Sequence, residues 1–177
     1  KLLDRGGWDK PKHEVAPHVP AALHSWPESA SRDRLQFARW VVAPQSPLAA
    51  RVAVNRVWQA VFGIGLVETP EDFGTRTPVP EHRDLLDWLA VDFMENCWSH
   101  KHLLRTIIAS RTYQQSSAAT PALLERDPAN RLLARGARFR GDAEVVRDSA
   151  LTIAGLLHPR VGGPSTFPPV PENVLAY

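Results

Sequence analysis

Two polar residues lie where an apolar helix stripe is expected, and they are the first candidates for chemistry. At about 100° per residue, Arg51 and Asn55 fall among the large apolar side chains of RVAVNRVWQAVFG, residues 51–63. A guanidinium taken out of water needs a carboxylate partner, and Glu71, Asp72 and Asp148 are the candidates. The pattern leaves two hypotheses open: a structural clasp, or a polar pocket for an anionic or sugar ligand. If the pair is buried, Arg51→Ala should cost about 3 kcal/mol.

The segment TPEDFG, residues 69–74, offers a carboxylate that could act as a catalytic acid or base. The spacing places no second carboxylate to work with Asp72, as acid–base catalysis by a carboxylate pair requires. Thr69 as an N-cap, Pro70 at the first helical position and Gly74 as a stop predict a one-turn helix instead.

The segment NRLLARGARFRGDAEVVRD, residues 130–148, combines arginines with one aromatic ring and could contact phosphates. The residues concerned are Arg131, Arg135, Arg138, Arg140 and Phe139. Acidic residues follow at once and offer internal partners, namely Asp142, Glu144 and Asp148, with Glu144 and Arg147 spaced as an i,i+3 pair. Nucleic-acid binding is therefore not favoured. The candidate polar site comprises Arg51, Asn55, Asp72, Arg140, Glu144, Arg147 and Asp148.

Two further segments partly match cofactor-binding or metal-binding motifs, but each lacks required elements of those motifs. CWSHKH, residues 97–102, lacks the second cysteine of a haem attachment motif and the second ligand pair of a zinc site. FGIGLV, residues 62–67, follows a predicted helix rather than the strand that precedes a dinucleotide loop, so it predicts a helix C-cap. Hydrolase elbow, zincin and P-loop motifs are absent from the sequence. We predict no metal and no cofactor in this chain.

Composition indicates one globular domain. The 177 residues can bury a sizeable core, and no apolar run approaches the roughly 18 residues of a membrane span. The net charge is only +2, but 17 arginines stand against four lysines, which favours paired or interface guanidinium groups. The single cysteine does not decide the compartment. The first residues lack the features of a signal peptide, so we expect a fragment of a longer protein.

Helical periodicity and proline signals predict a mainly α fold. Extended proline-rich arms are expected over 1–31 and 159–177, around a single irregular helical domain at 32–158. Helices are predicted over 32–42, 47–62 and 82–96, after Ser99, and from Asp142 onward. An N-cap side chain followed by proline marks four helix starts, at residues 46–47, 69–70, 120–121 and 127–128, of which the first is the start of the helix at 47–62.

Long stretches of the chain resemble a known family. They are SPLAARVAVNRVWQAVFGIGLVETPEDFG (46–74), HRDLLDWLAVDF (82–93), WSHKHLLRTIIASRTYQQSS (98–117), DPANRLLARGARFRGDAEVVRDSAL (127–151) and GGPS (162–165). The segments resemble the C-terminal domain of unknown function of large exported planctomycete proteins, which often carry a cytochrome c domain. The chain departs from that family at Arg83, where proline is usual, and in the tail after Ser165.

The resemblance implies an extracytoplasmic, multidomain setting linked to electron transfer or polysaccharide use, and it supplies no catalytic residues. Any haem c would belong to another domain of the parent protein. The leading hypothesis is an accessory interaction module, non-catalytic by itself, that contacts other domains or other exported proteins. The alternative is a glycan-binding or carbohydrate-active enzyme domain with a polar pocket around Arg51, Asn55 and Asp72.

Overall fold

The protein is mainly α-helical, as predicted. The computed structural model describes residues 2–74 and 76–164, and within these ranges it has six α-helices and no β-strand. The helices are α1 (Arg34–Val41), α2 (Ala49–Phe62), α3 (Arg83–Glu95), α4 (His100–Ile108), α5 (Pro121–Arg126) and α6 (Ala143–Ile153). The chain divides into two compact units, Lys1–Phe139 and Arg140–Tyr177, here called the first and second units. The predicted domain boundaries, after residues 31 and 158, stay predictions.

The core of the first unit is formed by α2, α3 and α4, which pack on one another. Val54 and Leu103 are fully buried, and Phe93 is 1 % exposed. The other buried members are Trp58, Phe62, Val67, Leu86, Leu89 and Ile107. Val67 lies in the loop after α2, and the spacing of the others places them on one face of each helix, so burial of this common apolar surface holds the three helices together.

A four-residue turn, residues 96–99, joins α3 to α4 and has an unusual backbone. Cys97 and Trp98 are both left-handed, with φ of 54° and 57°. The Trp98 N–H donates to the Phe93 carbonyl at 2.9 Å, and the two rings meet edge to face at 5.3 Å. The Ser99 hydroxyl then accepts from the His102 N–H at 3.3 Å, which confirms the predicted cap of α4.

Residues 2–31 lead into α1 with little regular structure. Residues 2–13 fold back on themselves, with an isolated antiparallel bridge between Leu3 and Pro11. His24 stacks on Trp40 of α1 at 4.3 Å, and its carbonyl accepts from the Trp40 indole N–H at 3.3 Å. Most of the predicted C-terminal arm, from Ser165 onward, lies outside the described residues.

The Thr120 cap and Pro121 open α5 as predicted, but the signal at Ser46–Pro47 is wrong by two residues. Helix α2 begins at Ala49, because its first backbone hydrogen bond joins the Val52 N–H to the Leu48 carbonyl. The Pro47 carbonyl instead accepts from the Arg51 guanidinium. Gly63 ends α2 in the left-handed conformation, with φ 82°, and so confirms the predicted C-cap.

The other two proline signals produce turns, so the helices predicted there are wrong. The Thr69 hydroxyl donates to the Asp72 carbonyl instead of accepting a helical N–H, and Thr69–Asp72 forms a single turn. The Asp127 carboxylate accepts from the N–H groups of Arg131 and Leu132, which follow it by four and five residues. It therefore closes a loop that is wider than the turn closed by an N-cap side chain.

Helix α6 belongs to the second unit and begins where the acidic residues predicted it. Asp142 is its N-cap and Glu144 lies in its first turn. None of its residues is buried.

Candidate functional site

Arg51 forms an ion pair with a residue that sequence reasoning did not name. Its Nε donates to Asp87 Oδ1 of α3 at 2.6 Å, and its Nη1 donates to the Pro47 carbonyl at 2.6 Å. The predicted partners Glu71, Asp72 and Asp148 are therefore wrong. The Arg51 and Asp87 side chains are 35 % and 33 % exposed, so the guanidinium lies at the rim of the α2–α3 contact rather than inside the core.

The pair favours the ionised form of Asp87. The hydrogen bond from Arg51 lowers the pKa of Asp87 below its ordinary value. Partial burial opposes this by raising the pKa, while the charges of Arg51 and of Arg83, 3.9 Å away, lower it further. The arrangement is a clasp between two helices.

Asn55 forms a second clasp, and it is completely buried. Its Nδ2 donates to the Val67 carbonyl at 2.9 Å and its Oδ1 accepts from the Val67 N–H at 2.8 Å. A Cβ at Gly65 would lie 2.5 Å from the Val67 carbonyl oxygen and 2.7 Å from Asn55 Nδ2, so only glycine fits between them. Both functional groups of the amide are thus engaged in holding the 63–67 loop on α2.

Asp72 organises its own turn. Its Oδ1 accepts from the Gly74 N–H at 2.8 Å, and its Oδ2 lies 3.5 Å from the exposed Arg76 guanidinium. Among the described residues, no hydrogen bond or ion pair joins it to Arg51 or Asn55.

The remaining predicted site residues lie in the second unit and are exposed. Arg147 contacts Asp148 at 3.2 Å, with both side chains more than half exposed, and it does not form the expected pair with Glu144. Arg140 and Glu144 are exposed as well. The seven candidate residues therefore divide between the two units, and a common site around them stays a prediction.

The first unit has a large cleft that the sequence did not predict. Its volume is about 810 Å³, within the range typical of small-molecule sites. Its walls come from the end of α2 and the loop after it, from the proline-rich segment 77–82, and from residues 119–139. We call it the first-unit cleft. Arg51, Asn55 and Asp72 do not line it.

Polar contacts tie the walls of the first-unit cleft together. The Arg131 guanidinium pairs with the Glu68 carboxylate, which joins the 127–139 loop to the loop after α2. The Nε2 of His82 lies 2.8 Å from the Arg131 carbonyl and connects the proline-rich segment to the same loop. Three chain segments distant in sequence are thus held around one opening.

Two charged residues of the 127–139 loop are nearly buried, Asp127 and Arg135, which are 6 % and 8 % exposed. Burial raises the pKa of Asp127, but the N–H groups of Leu132 and Arg131 and the charge of Arg135 lower it, and the net pKa is below its ordinary value. Arg135 Nη2 donates to the carbonyls of Asp127 and Pro128, each at 2.9 Å. Arg135 is therefore internally partnered, although not by the acidic residues after position 141 that were predicted.

Asn130 is the cleft residue that sequence reasoning missed. Its Nδ2 donates to the Arg135 carbonyl at 2.8 Å, which closes the 127–135 loop. The available signal was the run DPAN, whose Asp, Pro and Asn are turn formers, followed five residues later by an arginine.

The motifs considered for cofactors have structural contacts. His102 Nε2 lies 2.9 Å from Asp92 Oδ2, and His100 packs against Phe93. Across residues 2–74 and 76–164, no three His, Cys, Asp or Glu side chains form a metal-binding group, and no helix is long and apolar enough to cross a membrane. The expected lack of a metal or cofactor stays a prediction.

The fold and the cleft define an all-α domain built on a three-helix core. The chain belongs to the PSD1 family, described as proteins of unknown function (DUF1553), which matches residues 33–176. The match starts beside α1 and extends through both units. No curated protein and no solved structure matches the chain.

Proposed function

We propose that this domain is an interaction module, non-catalytic by itself, of a larger exported protein. The observation that supports it best is the apolar face of α6. Val145 and Val146 are 58 % and 60 % exposed, and Ile153 is 88 % exposed. Large apolar side chains grouped on an exposed surface mark sites of association rather than ordinary solvated surface.

The helix pattern explains why these side chains group together. At about 100° per residue, Val145, Val146, Ala150 and Ile153 fall on one stripe of α6. The opposite face carries Glu144, Arg147 and Asp148. A helix of this kind gains stability mainly by burying its stripe against another surface.

The setting of the proposed module follows from the resemblance described above. The resemblance implies an extracytoplasmic parent protein with further domains, to one of which any haem c would belong. In this proposal α6 contacts one of those domains or another exported protein, and this chain contributes no cofactor.

Site-specific photo-crosslinking in the full-length parent protein tests the proposal. A photoreactive phenylalanine analogue replaces Ile153 in one variant and exposed Asp148, about 140° around the helix on the opposite face, in the control. The expected result is crosslinking from position 153 to another domain or to another exported chain, with little from position 148. Equal yields at both positions, or no product from position 153, would contradict the proposal.

Glycan binding is the second candidate function, and the first-unit cleft favours it. The cleft has the size of a ligand site, and both charged and apolar side chains line it. This differs from the pocket predicted around Arg51, Asn55 and Asp72, because Asn55 is fully engaged with Val67 and Arg51 with Asp87. Thermal-shift screening with neutral and sulfated oligosaccharides tests this candidate, and stabilisation by a specific sugar supports it.

A further inference from the structure

We propose that Trp8 of one copy of this chain inserts into a small pocket beside α1 of a second copy, so that the copies associate head to tail. Both surfaces lie in the first unit, and neither involves α6 or the first-unit cleft. The proposal therefore goes beyond the two functions proposed above and does not depend on them.

Trp8 lies at the end of a hydrogen-bonded loop. It is 87 % exposed, more than any other tryptophan of the chain. Trp8 and Asp9 are the two central residues of a turn that is closed by the hydrogen bond from the Lys10 N–H to the Gly7 carbonyl at 3.0 Å. The Asp4 N–H donates to the Lys10 carbonyl at 2.9 Å and fixes the base of the loop. We call residues 7–10 the Trp8 turn.

The exposure of Trp8 indicates a contact with a partner surface. Tryptophan is a large side chain that is mostly buried in folded proteins, and burial of an aromatic ring removes about 150–250 Å² from water. Tryptophan is also among the residues that contribute most binding energy at interfaces between proteins. The exposed ring of Trp8 is therefore suited to an apolar pocket on another chain.

A pocket with a volume of about 240 Å³ lies beside α1, and we call it the α1 pocket. It is smaller than a typical small-molecule site of about 300–1,000 Å³, so its size suits a single aromatic side chain. Phe37, which is 50 % exposed, forms part of its wall together with Pro17 and Trp26. Two arginines, Arg32 and Arg34, also line it.

Internal hydrogen bonds fix the walls of the α1 pocket. Arg32 Nη1 donates to the Pro17 carbonyl at 2.7 Å, which joins the N-terminal segment to the start of α1. The Trp26 indole N–H donates to the Ala30 carbonyl at 3.3 Å, so the polar atom of this ring is already paired and the rest of the ring is apolar. A preformed apolar pocket of this kind loses little entropy when it binds a side chain.

The charges beside the two surfaces are complementary. Asp9 and Lys10 follow Trp8 in the turn, while Asp33 and Arg34 are adjacent at the α1 pocket. None of these four charged residues forms an ion pair within the part of the chain that the structure describes. Two pairs of opposite charge, Asp9 with Arg34 and Lys10 with Asp33, can therefore form across the contact and orient it.

The partner is assigned to a second copy because both halves of the contact belong to this one sequence. Within a single copy Trp8 does not line the α1 pocket and remains exposed. The turn and the pocket are different surfaces, so the interface is heterologous. Each copy can then contribute its Trp8 turn to one neighbour and its α1 pocket to another.

Sedimentation velocity of the full 177-residue chain at several concentrations tests the proposal. Trp8→Ala removes the inserted ring, and Trp88→Ala, which removes another exposed tryptophan, is its control. Phe37→Glu removes a wall of the α1 pocket, and Leu35→Glu, at an exposed position of the same helix outside the pocket, is its control. Circular dichroism checks that each variant folds.

The expected result is weak self-association with a Kd on the order of 0.1 mM, because one inserted ring buries a small interface. Trp8→Ala and Phe37→Glu should each weaken it by about tenfold or more, and the two controls should change it by less than about twofold. An equimolar mixture of Trp8→Ala and Phe37→Glu should form heterodimers, because one variant retains the pocket and the other retains the ring.

A charge exchange tests the orientation of the contact. Asp9→Arg should weaken self-association, because it places two arginines opposite each other, and adding Arg34→Asp in the same chain should restore it. Failure of the second substitution to restore association would overturn the assigned pairing.

Other results would overturn the proposal as a whole. The first is the absence of concentration-dependent association up to about 1 mM. The second is association that Trp8→Ala leaves unchanged, which would place the contact on another surface. The third is a mixture of Trp8→Ala and Phe37→Glu that stays monomeric while the unsubstituted chain associates. None of these results affects the crosslinking expected from α6 or the glycan binding expected at the first-unit cleft.

Discussion

Helices α4 and α6 share the same kind of amphipathic sequence and have opposite environments. In α4, Leu103 and Ile107 are 0 % and 2 % exposed, because α2 and α3 cover them. In α6, Val146 and Ile153 are 60 % and 88 % exposed. Periodicity therefore predicts that a helix forms and which face is apolar, but it does not predict what covers that face.

The largest expected loss of stability comes from α4, whose apolar face is buried. Leu103→Ala should lower the free energy of unfolding by about 3 kcal/mol, because it removes a fully buried side chain and leaves a cavity among α2, α3 and α4. Urea unfolding followed by circular dichroism measures it, with exposed Leu104→Ala as the control. A loss no larger than that of the control would mean that the three helices do not pack as described.

The second effect tests the Asn55 clasp inside the same core. Asn55→Ala should cost about 2–3 kcal/mol, since it leaves both the N–H and the carbonyl of buried Val67 unpaired. The neighbouring Arg56 is exposed, and Arg56→Ala should have little effect. Equal losses in the two variants, measured by urea unfolding, would show that the Val67 backbone finds other partners.

Substitutions at the rim of the core should lower the free energy of unfolding less than substitutions at its centre. Arg51→Ala should cost about 1 kcal/mol rather than the 3 kcal/mol of a buried pair, because solvent screens side chains that are one-third exposed. A double-mutant cycle with Asp87→Asn measures the coupling between them. Coupling indistinguishable from zero would mean that the pair does not stabilise the helix contact.

The same pair sets a pH dependence. The pKa of Asp87 is lowered in the folded protein, so its contribution is present above the ordinary value of 3.8 and is lost as the pH falls through the folded pKa. Arg51→Ala should move the pKa of Asp87 back up toward 3.8 and reduce this loss of stability in acid. NMR titration of the Asp87 carboxyl measures the shift, and an unchanged pKa in the variant would contradict the assigned cause.

The smallest expected change in stability comes from α6, whose apolar face is exposed. Ile153→Ser should change the stability of the isolated chain by less than about 0.5 kcal/mol, because the side chain is almost fully exposed. Thermal unfolding measures it, with Thr152→Ser as the control. A loss comparable to that of Leu103→Ala would show that α6 is packed in solution, and would remove the contrast between the two helices.

Local features of this fold were predictable because their causes lie within a few residues. The Ser99 and Thr120 caps and the Gly63 C-cap each depend on bonds within one helical turn. At Thr69 and Asp127 the same local signal produced turns, because the side chains made other bonds than those of an N-cap.

The partners of the polar residues were not predictable, because they come from distant parts of the chain. Arg51 meets Asp87, 36 residues away, and Arg131 meets Glu68. Periodicity correctly selected Asn55 as an inward polar residue, yet nothing in the spacing indicated that the Val67 backbone would engage it. The first-unit cleft depends on three segments meeting, so it had no signal in any single motif.

The turn between α3 and α4 limits which insertions and deletions the chain tolerates. It is closed by the hydrogen bond from the Trp98 N–H to the Phe93 carbonyl, and two of its residues, Cys97 and Trp98, have left-handed backbone conformations. Its length and its path are therefore tightly defined. One extra residue at its end would rotate α4 by about 100° and carry Leu103 and Ile107 away from α2 and α3. Related chains should therefore vary in length elsewhere and keep the same number of residues between these two helices.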